Sequence, residues 1–198
     1  DKTASKTLNR ATDTTRQPGS TFKILASYSA ALDAGGLTLA SVQDDAPYTY
    51  AGANGKSVSN YDKRYRGFTT LREAITDSIN IVTVKTLAQV GVSLGWQYVQ
   101  EYGFTTVDSR DMNEALALGG ITQGVSNLEL TAAYAAIANQ GTYIKPKFYT
   151  KILDHDGNVL IDNTTPESHT VIKDTTAWLL TSAMEDVMTS GTGTSAYF

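Results

Sequence analysis

The chain has 198 residues, 41% of them hydrophobic, which is enough for one sizeable core and, by ordinary domain lengths, for one domain rather than two. Its net charge is −4, with 16 Lys and Arg against 20 Asp and Glu, and no basic run long enough to follow a phosphate backbone, so nucleic acid is not an expected partner. The absence of Cys rules out disulfides and thiolate metal sites. No apolar run approaches the ~20 residues of a membrane span, and the opening DKTASKTLNR lacks the apolar stretch of a signal peptide.

The first predicted helix opens at Ser20, after Pro18-Gly19. Phe22, Leu25, Ala26, Ser29 and Leu32 fall near helical spacing, and Gly35-Gly36 ends the run. From Gln43 to Gly67 the sequence is rich in Gly, Asn, Asp and Tyr without a sustained period, so a long surface excursion with at most one short hairpin is expected. Its tyrosines, Tyr48, Tyr50, Tyr61 and Tyr65, are read as pins for this loop in preference to a groove for sugars or peptides.

Thr70 and Glu73 fit a capping box, starting a helix that runs towards Asp77. Ser78-Ile79-Asn80 follows as a break before a second helical stretch, Ile81 to Val90, closed by Gly91. Ser93 is expected to cap a helix through Tyr102, ended by Gly103. Ser126 and Glu129 form a second capping box opening an Ala-rich helix. The residues around Asp156-Gly157 alternate like a hairpin; Asp154 and Asp156 suit its turn better than a calcium loop. Asp174 is expected to cap the last helix, Thr175 to Thr189. His155 and His169 stand isolated and are given no metal or catalytic role.

Two short motifs carry chemistry. Ser20 and Lys23 form the only S-x-x-K of the sequence, and Ser78-Ile79-Asn80 its only S-x-N. Residues i and i+3 of a helix share a face, with Cβ atoms roughly 5–6 Å apart, so the Lys23 ammonium is within reach of the Ser20 hydroxyl. Serine is a poor nucleophile until a base takes its proton, and a lysine can do this when burial lowers its pKa. The bland alternative for Ser20 is an ordinary helix cap; for Ser78 and Asn80 it is a polar junction between helices. In the chemical reading the Ser78 hydroxyl relays a proton, and the Asn80 amide holds the nucleophile side and a substrate amide.

S-x-x-K followed by S-x-N resembles the signature of penicillin-binding proteins and serine β-lactamases. The blocks NRATDTTRQPGSTFK, NYDKRYRGFTTLREAITDSINIVTVKTLAQVG, ALGGITQGVSNLELTAAYAAIANQGTYIKP and VMTSGTGTSAYF extend the likeness over nearly the whole chain. They are similar to successive blocks of the transpeptidase domain of class A penicillin-binding proteins.

The resemblance implies an α/β fold, here mostly its helical part with a small β-hairpin, the central antiparallel sheet largely missing. It implies a serine D,D-transpeptidase that cross-links peptidoglycan stem peptides through an acyl-enzyme on Ser20. Lys23 would be the base and Ser78 and Asn80 the second motif, with β-lactams acylating Ser20 and no cofactor or metal. The Ser20 backbone N–H would be half of the oxyanion hole. The alternatives are a D,D-carboxypeptidase or β-lactamase on the same scaffold, or a non-catalytic β-lactam or cell-wall binding module.

The parent protein would be anchored in the bacterial cytoplasmic membrane, facing outward, beside a glycosyltransferase domain. Two departures accompany the likeness. Ile24 stands where many relatives have proline, and the K-T-G motif that normally receives the substrate carboxylate is not found. Ser190 to Ser195, SGTGTS, is similar to the loop before that motif. The expectation is therefore a partial domain, residues 1 to 198, truncated at both ends and inactive by itself.

Overall fold

The computed structural model describes residues 7–51 and 56–196. The segment after Ser20 is the hub of the core, although it is not one regular helix. A 3₁₀ turn at Gly19–Thr21 leads through residues 22 and 23 into a π-helical turn at Ile24–Tyr28, and a full turn of ordinary α geometry comes only at Ser29–Asp33 (α1). Phe22, Leu25, Ala26 and Tyr28 are fully buried. Ser27 Oγ donates to Thr83 O at 2.9 Å, Tyr28 Oη meets Thr83 Oγ1 at 2.8 Å, and Ser29 Oγ meets Tyr102 Oη at 2.9 Å. Because the helix is buried all round, its small polar side chains pair inside the core rather than with water.

The stretch from Gln43 to Gly67 is more ordered than its composition suggests. Strand β2 (Val42–Asp45) pairs antiparallel with β5 (Gly67–Thr70), and β3 (Tyr48–Thr49) with β4 (Ser57–Val58). Here β1 is Thr15–Arg16, which pairs with β6 (Val125–Ser126). Strand β7 (Thr142–Ile144) pairs with β10 (Ser168–Thr170), and β8 (Lys151–Leu153) with β9 (Val159–Asp162). Among the described residues the strands thus form antiparallel pairs and no larger sheet, with more pairs than the single hairpin expected. The β8–β9 hairpin has the anticipated turn, where Asp154 Oδ1 accepts from Asp156 N and Asn158 N. Both of its faces are exposed.

Of the tyrosines in this stretch, Tyr48 and Tyr50 do pin it. They pack against the core, and Tyr48 Oη donates to Glu114 Oε1 at 2.9 Å. Tyr61 and Tyr65 are exposed, so the pinning reading does not extend to them.

Helices α2 (Leu71–Thr76), α3 (Asn80–Val90), α4 (Val92–Glu101), α5 (Asn127–Ala138) and α6 (Asp174–Thr189) complete the described chain with short 3₁₀ turns between them. Both capping boxes form: Thr70 Oγ1 accepts from Glu73 N while Glu73 Oε2 accepts from Thr70 N, and Ser126 and Glu129 repeat the pattern. Thr70→Ala removes one satisfied helix donor, and urea unfolding is expected to read a loss of about 1 kcal/mol; no change would remove the cap as a stabilising contact.

Two other caps differ from expectation. Gly91, at φ 100°, precedes α4, which opens at Val92 without a side-chain cap, so Ser93 lies inside the helix. Lys173 precedes α6, and Asp174 is already helical, its carboxylate accepting from Thr175 N. In the first case glycine supplies a backbone turn that serine would adopt only under strain.

Candidate active site

Residues 15–19 are strapped to a glycine-rich loop. The Gln17 side-chain amide brackets Ile121, donating to its carbonyl and accepting from its N–H at 2.9 Å. Gly119, at φ 73°, lies so close to Gly19 that a Cβ there would sit 2.5 Å from Gly19 O and 2.7 Å from Gly19 N. Gly19 is itself left-handed, at φ 59°, and it opens a single 3₁₀ turn in which Ser20 is the second residue. Ser20 does not act as a helix cap: Pro18 occupies the cap position and no side-chain cap bond forms. The bland alternative for Ser20, an ordinary helix cap, is not what the structure shows. Its side chain is exposed at the rim of a cleft. Tyr134 Oη from α5 donates to Thr21 O at 2.6 Å and fixes the turn from the other side.

Lys23 lies one turn further on and is 3% exposed. Its Nζ donates to Ser78 O at 2.6 Å, Ser78 Oγ at 2.9 Å and Asn80 Oδ1 at 2.7 Å. The two sequence motifs, 55 residues apart, are therefore in direct contact through Lys23. Ser20 Oγ, which the i, i+3 spacing puts within reach, is not among the hydrogen-bond partners of Nζ. Burial pushes the Lys23 amine down from its ordinary value to about 8, because removal from water disfavours the charged form.

The corner that receives the lysine is built by backbone strain. Helix α2 ends at Thr76, and Ser78 turns left-handed at φ 53°, with its N–H on Ile75 O and the next N–H, of Ile79, on Ala74 O. A non-glycine residue in that region is uncommon and often marks a site where geometry is held for a purpose. Here the turn aims both the carbonyl and the hydroxyl of Ser78 at the ammonium. Asn80, the first residue of α3, spans the gap: its Oδ1 faces Lys23 and its Nδ2 donates to Ser59 O at 2.9 Å.

Two hollows meet at Ser20. One, of about 770 Å³, is polar and includes Ser59, Tyr61, Arg66, Ser78, Asn80 and Thr192; the other, of about 390 Å³, is more apolar and includes Lys23, Met184, Val187 and Met188. Thr192 borders both, held by its N–H on Thr76 O at 3.2 Å. The SGTGTS segment therefore reaches the cleft as a loop and a 3₁₀ turn, not as a strand. Tyr134 and Thr192 were not read as site residues from sequence, since neither belongs to a short motif that signals its partner. The two histidines lie elsewhere. His155 faces Asp156 in the exposed hairpin, and His169 Nε2 is 2.8 Å from Glu101 O.

Comparison with known proteins settles the family. The family description "Penicillin binding protein transpeptidase domain" matches residues 1–197. The chain belongs to the transpeptidase domain of the class A penicillin-binding proteins. It is 39% identical over 194 residues to penicillin-binding protein 1F of Bacillus subtilis, covering 98% of this chain and 26% of that protein. It is 36% identical over 198 residues to penicillin-binding protein 1A of Streptococcus oralis, covering 96% of this chain and 30% of the relative. The chain thus spans about a quarter to a third of the length of these relatives. The crystal structure of penicillin-binding protein 1A from Haemophilus influenzae superposes with a TM-score of 0.80 at 28% identity, over 94% of this chain and 32% of that one. The fold is the helical portion of the α/β penicillin-binding architecture.

Proposed function

We propose that this chain carries the acyl-transfer centre of a serine D,D-transpeptidase acting on peptidoglycan stem peptides, with Ser20 as nucleophile, Lys23 as base, and Ser78 and Asn80 as the second motif. The observation that carries the reading is the buried Lys23 amine, joined to both Ser78 and Asn80 and set one turn from an exposed serine. Family membership supports it.

The charged ammonium has three N–H donors, all engaged by Ser78 and Asn80. The neutral amine has two N–H and a lone pair, so losing the proton releases one acceptor and frees the lone pair to accept from Ser20 Oγ. With the amine at about 8, about a tenth of molecules are neutral at pH 7. Ser20 Oγ then attacks the penultimate D-Ala carbonyl of a D-Ala-D-Ala stem while its proton passes to Lys23 Nζ. The Ser20 N–H supports the developing oxyanion. The C–N bond breaks, and the proton reaches the leaving D-Ala nitrogen through Ser78 Oγ, leaving an ester on Ser20. An acceptor amine attacks that ester and forms the new amide, and its surplus proton passes through Ser78 Oγ and Lys23 Nζ to Ser20 Oγ, which leaves as the restored hydroxyl. β-Lactams acylate Ser20 by the first half of this sequence.

The same reading assigns the intact protein to the outer side of the bacterial cytoplasmic membrane, next to a glycosyltransferase domain. Among the described residues no helix is long and apolar enough to cross a membrane. The test is labelling of the intact protein with fluorescent penicillin. Ser20→Ala is expected to lose the covalent label completely, and equal labelling of both proteins would discard Ser20 as the nucleophile.

A further inference from the structure

The second motif is held by residues outside it. Asp45, at the end of β2, is 0% exposed although it carries a carboxyl group. Its oxygens accept from Asn60 Nδ2 at 2.8 and 3.0 Å and from Arg66 N at 2.9 Å, with the Arg66 guanidinium 3.8 Å away. Asn60 is also buried. Its Nδ2 donates further to Arg64 O at 2.8 Å, and its Oδ1 accepts from Asn80 N at 3.0 Å and Ile81 N at 3.2 Å. Asn60 thereby satisfies the first free N–H groups of α3 from a distant loop, a task usually done by the residue just before a helix. Ile79, which occupies that place, has no side chain able to do it.

The chemistry makes the orientation one-way. A carboxylate only accepts hydrogen bonds, whereas an amide has one accepting end and one donating end. A buried carboxylate on one side forces the Asn60 amide to turn its Nδ2 towards Asp45, which leaves Oδ1, the only suitable group, facing the N–H groups of α3. The neighbouring Ser59 carbonyl then receives Asn80 Nδ2, which points Asn80 Oδ1 at Lys23 Nζ. We propose that Asp45 and Asn60 are positioning residues for acyl transfer, a buried pair that fixes the start of α3 so that Asn80 and Ser78 hold the Lys23 amine. The proposal rests on the transpeptidase reading above.

The test uses the intact protein and reads two constants for fluorescent penicillin: the non-covalent dissociation constant and the first-order acylation constant of the population that becomes labelled. Unfolded chain does not enter the second quantity. Asp45→Asn changes one atom and sets a second NH₂ group against Asn60 Nδ2, so that on this side only Arg64 O still holds the Asn60 amide in place. It is expected to lower the acylation constant about ten-fold, with the dissociation constant within two-fold of the parent. Asn60→Asp, which sets two carboxyl groups against each other, is expected to lose more, and the double exchange Asp45→Asn with Asn60→Asp to recover part of that loss, because a donor again faces an acceptor between positions 45 and 60 while Arg64 O stays without its donor. An unchanged acylation constant in Asp45→Asn, or a double exchange no better than Asn60→Asp alone, overturns the positioning role. If either occurs while Ser20→Ala still abolishes labelling, the inference fails and the transpeptidase reading stands; labelling of Ser20→Ala brings down that reading instead.

Discussion

Replacing Lys23 by Ala is expected to lower the rate constant of acylation by penicillin by 10²-fold or more, the usual scale for loss of a general base. Lys23→Arg is the sharper variant. A guanidinium keeps the positive charge and can still donate to Ser78 and Asn80, but it stays protonated at all accessible pH. If the amine works by taking the Ser20 proton, Lys23→Arg falls as far as Lys23→Ala. If Lys23 were only a structural cation, Lys23→Arg would keep activity within about ten-fold of the parent, and that result would falsify the base assignment.

The same chemistry fixes a pH profile. Burial holds the amine at about 8 instead of its ordinary 10.5. The reactive neutral form grows as pH rises, so acylation by penicillin should increase through a midpoint near 8 and level off above it. Between pH 6 and pH 8 the neutral fraction rises about fifty-fold. The sign for stability follows from the same lowering. The unfolded chain holds this proton up to about 10.5 and the folded chain releases it near 8, so between those values Lys23 makes the fold more stable as pH increases. A rate that is flat from pH 6 to 9 would mean that proton removal from Ser20 does not depend on this amine.

Gly119→Ala is the second large effect, and it acts through position alone. The residue is left-handed, where an alanine costs roughly 1–2 kcal/mol, and the new Cβ would meet backbone atoms of Gly19 at 2.5 and 2.7 Å. Backbone cannot step aside as a flexible side chain can, so a total of about 3 kcal/mol is expected, or a fall of about 6–12 °C in melting temperature at this chain length. Because Gly19 directly precedes Ser20, acylation should also slow in the molecules that remain folded. A melting temperature within 2 °C of the parent together with unchanged acylation would show that the two loops are not tied as closely as their backbones lie.

What could be read from the sequence divides along a physical line. Short-range rules worked where two residues specify each other, and missed by one or two positions at the single-residue caps expected of Ser93 and Asp174. The capping boxes at Thr70 and Ser126 depend on residues three apart, and both form. The Asp156-Gly157 turn also depends on its own few residues. The S-x-x-K and S-x-N motifs are legible because the proposed acyl transfer would need those groups, and the structure places Lys23 against Ser78 and Asn80. Features that depend on distant partners were hidden. The pairing of β2 with β5 spans some 25 residues and has no periodic signature in a Gly- and Asn-rich stretch. Asp45 looks like any surface acid until β5 and Asn60 close over it. Ser20 and Ser93 look like helix caps, yet Pro18 and Gly91 occupy those places. Spacing also could not distinguish a regular helix after Ser20 from one with a widened turn, since Phe22, Leu25 and Ala26 are buried in either geometry.

That widened turn constrains how the segment can vary. Between Ile24 and Tyr28 the backbone closes with the Ser29 N–H on Ile24 O, a ring one residue larger than an α-helical one. Everything N-terminal to it is rotated by about 100°, one residue's worth, from where a regular helix of the same residue count would put it. Tightening the turn to ordinary geometry with every residue kept would swing the serine and lysine round the axis and away from the Ser78 corner, whereas loss of one residue within the turn would restore a regular coil and leave both facing as they do. The widened turn thus holds one residue more than a regular helix would need, and where the Ser20 hydroxyl and the Lys23 amine face depends on residue count and turn width together.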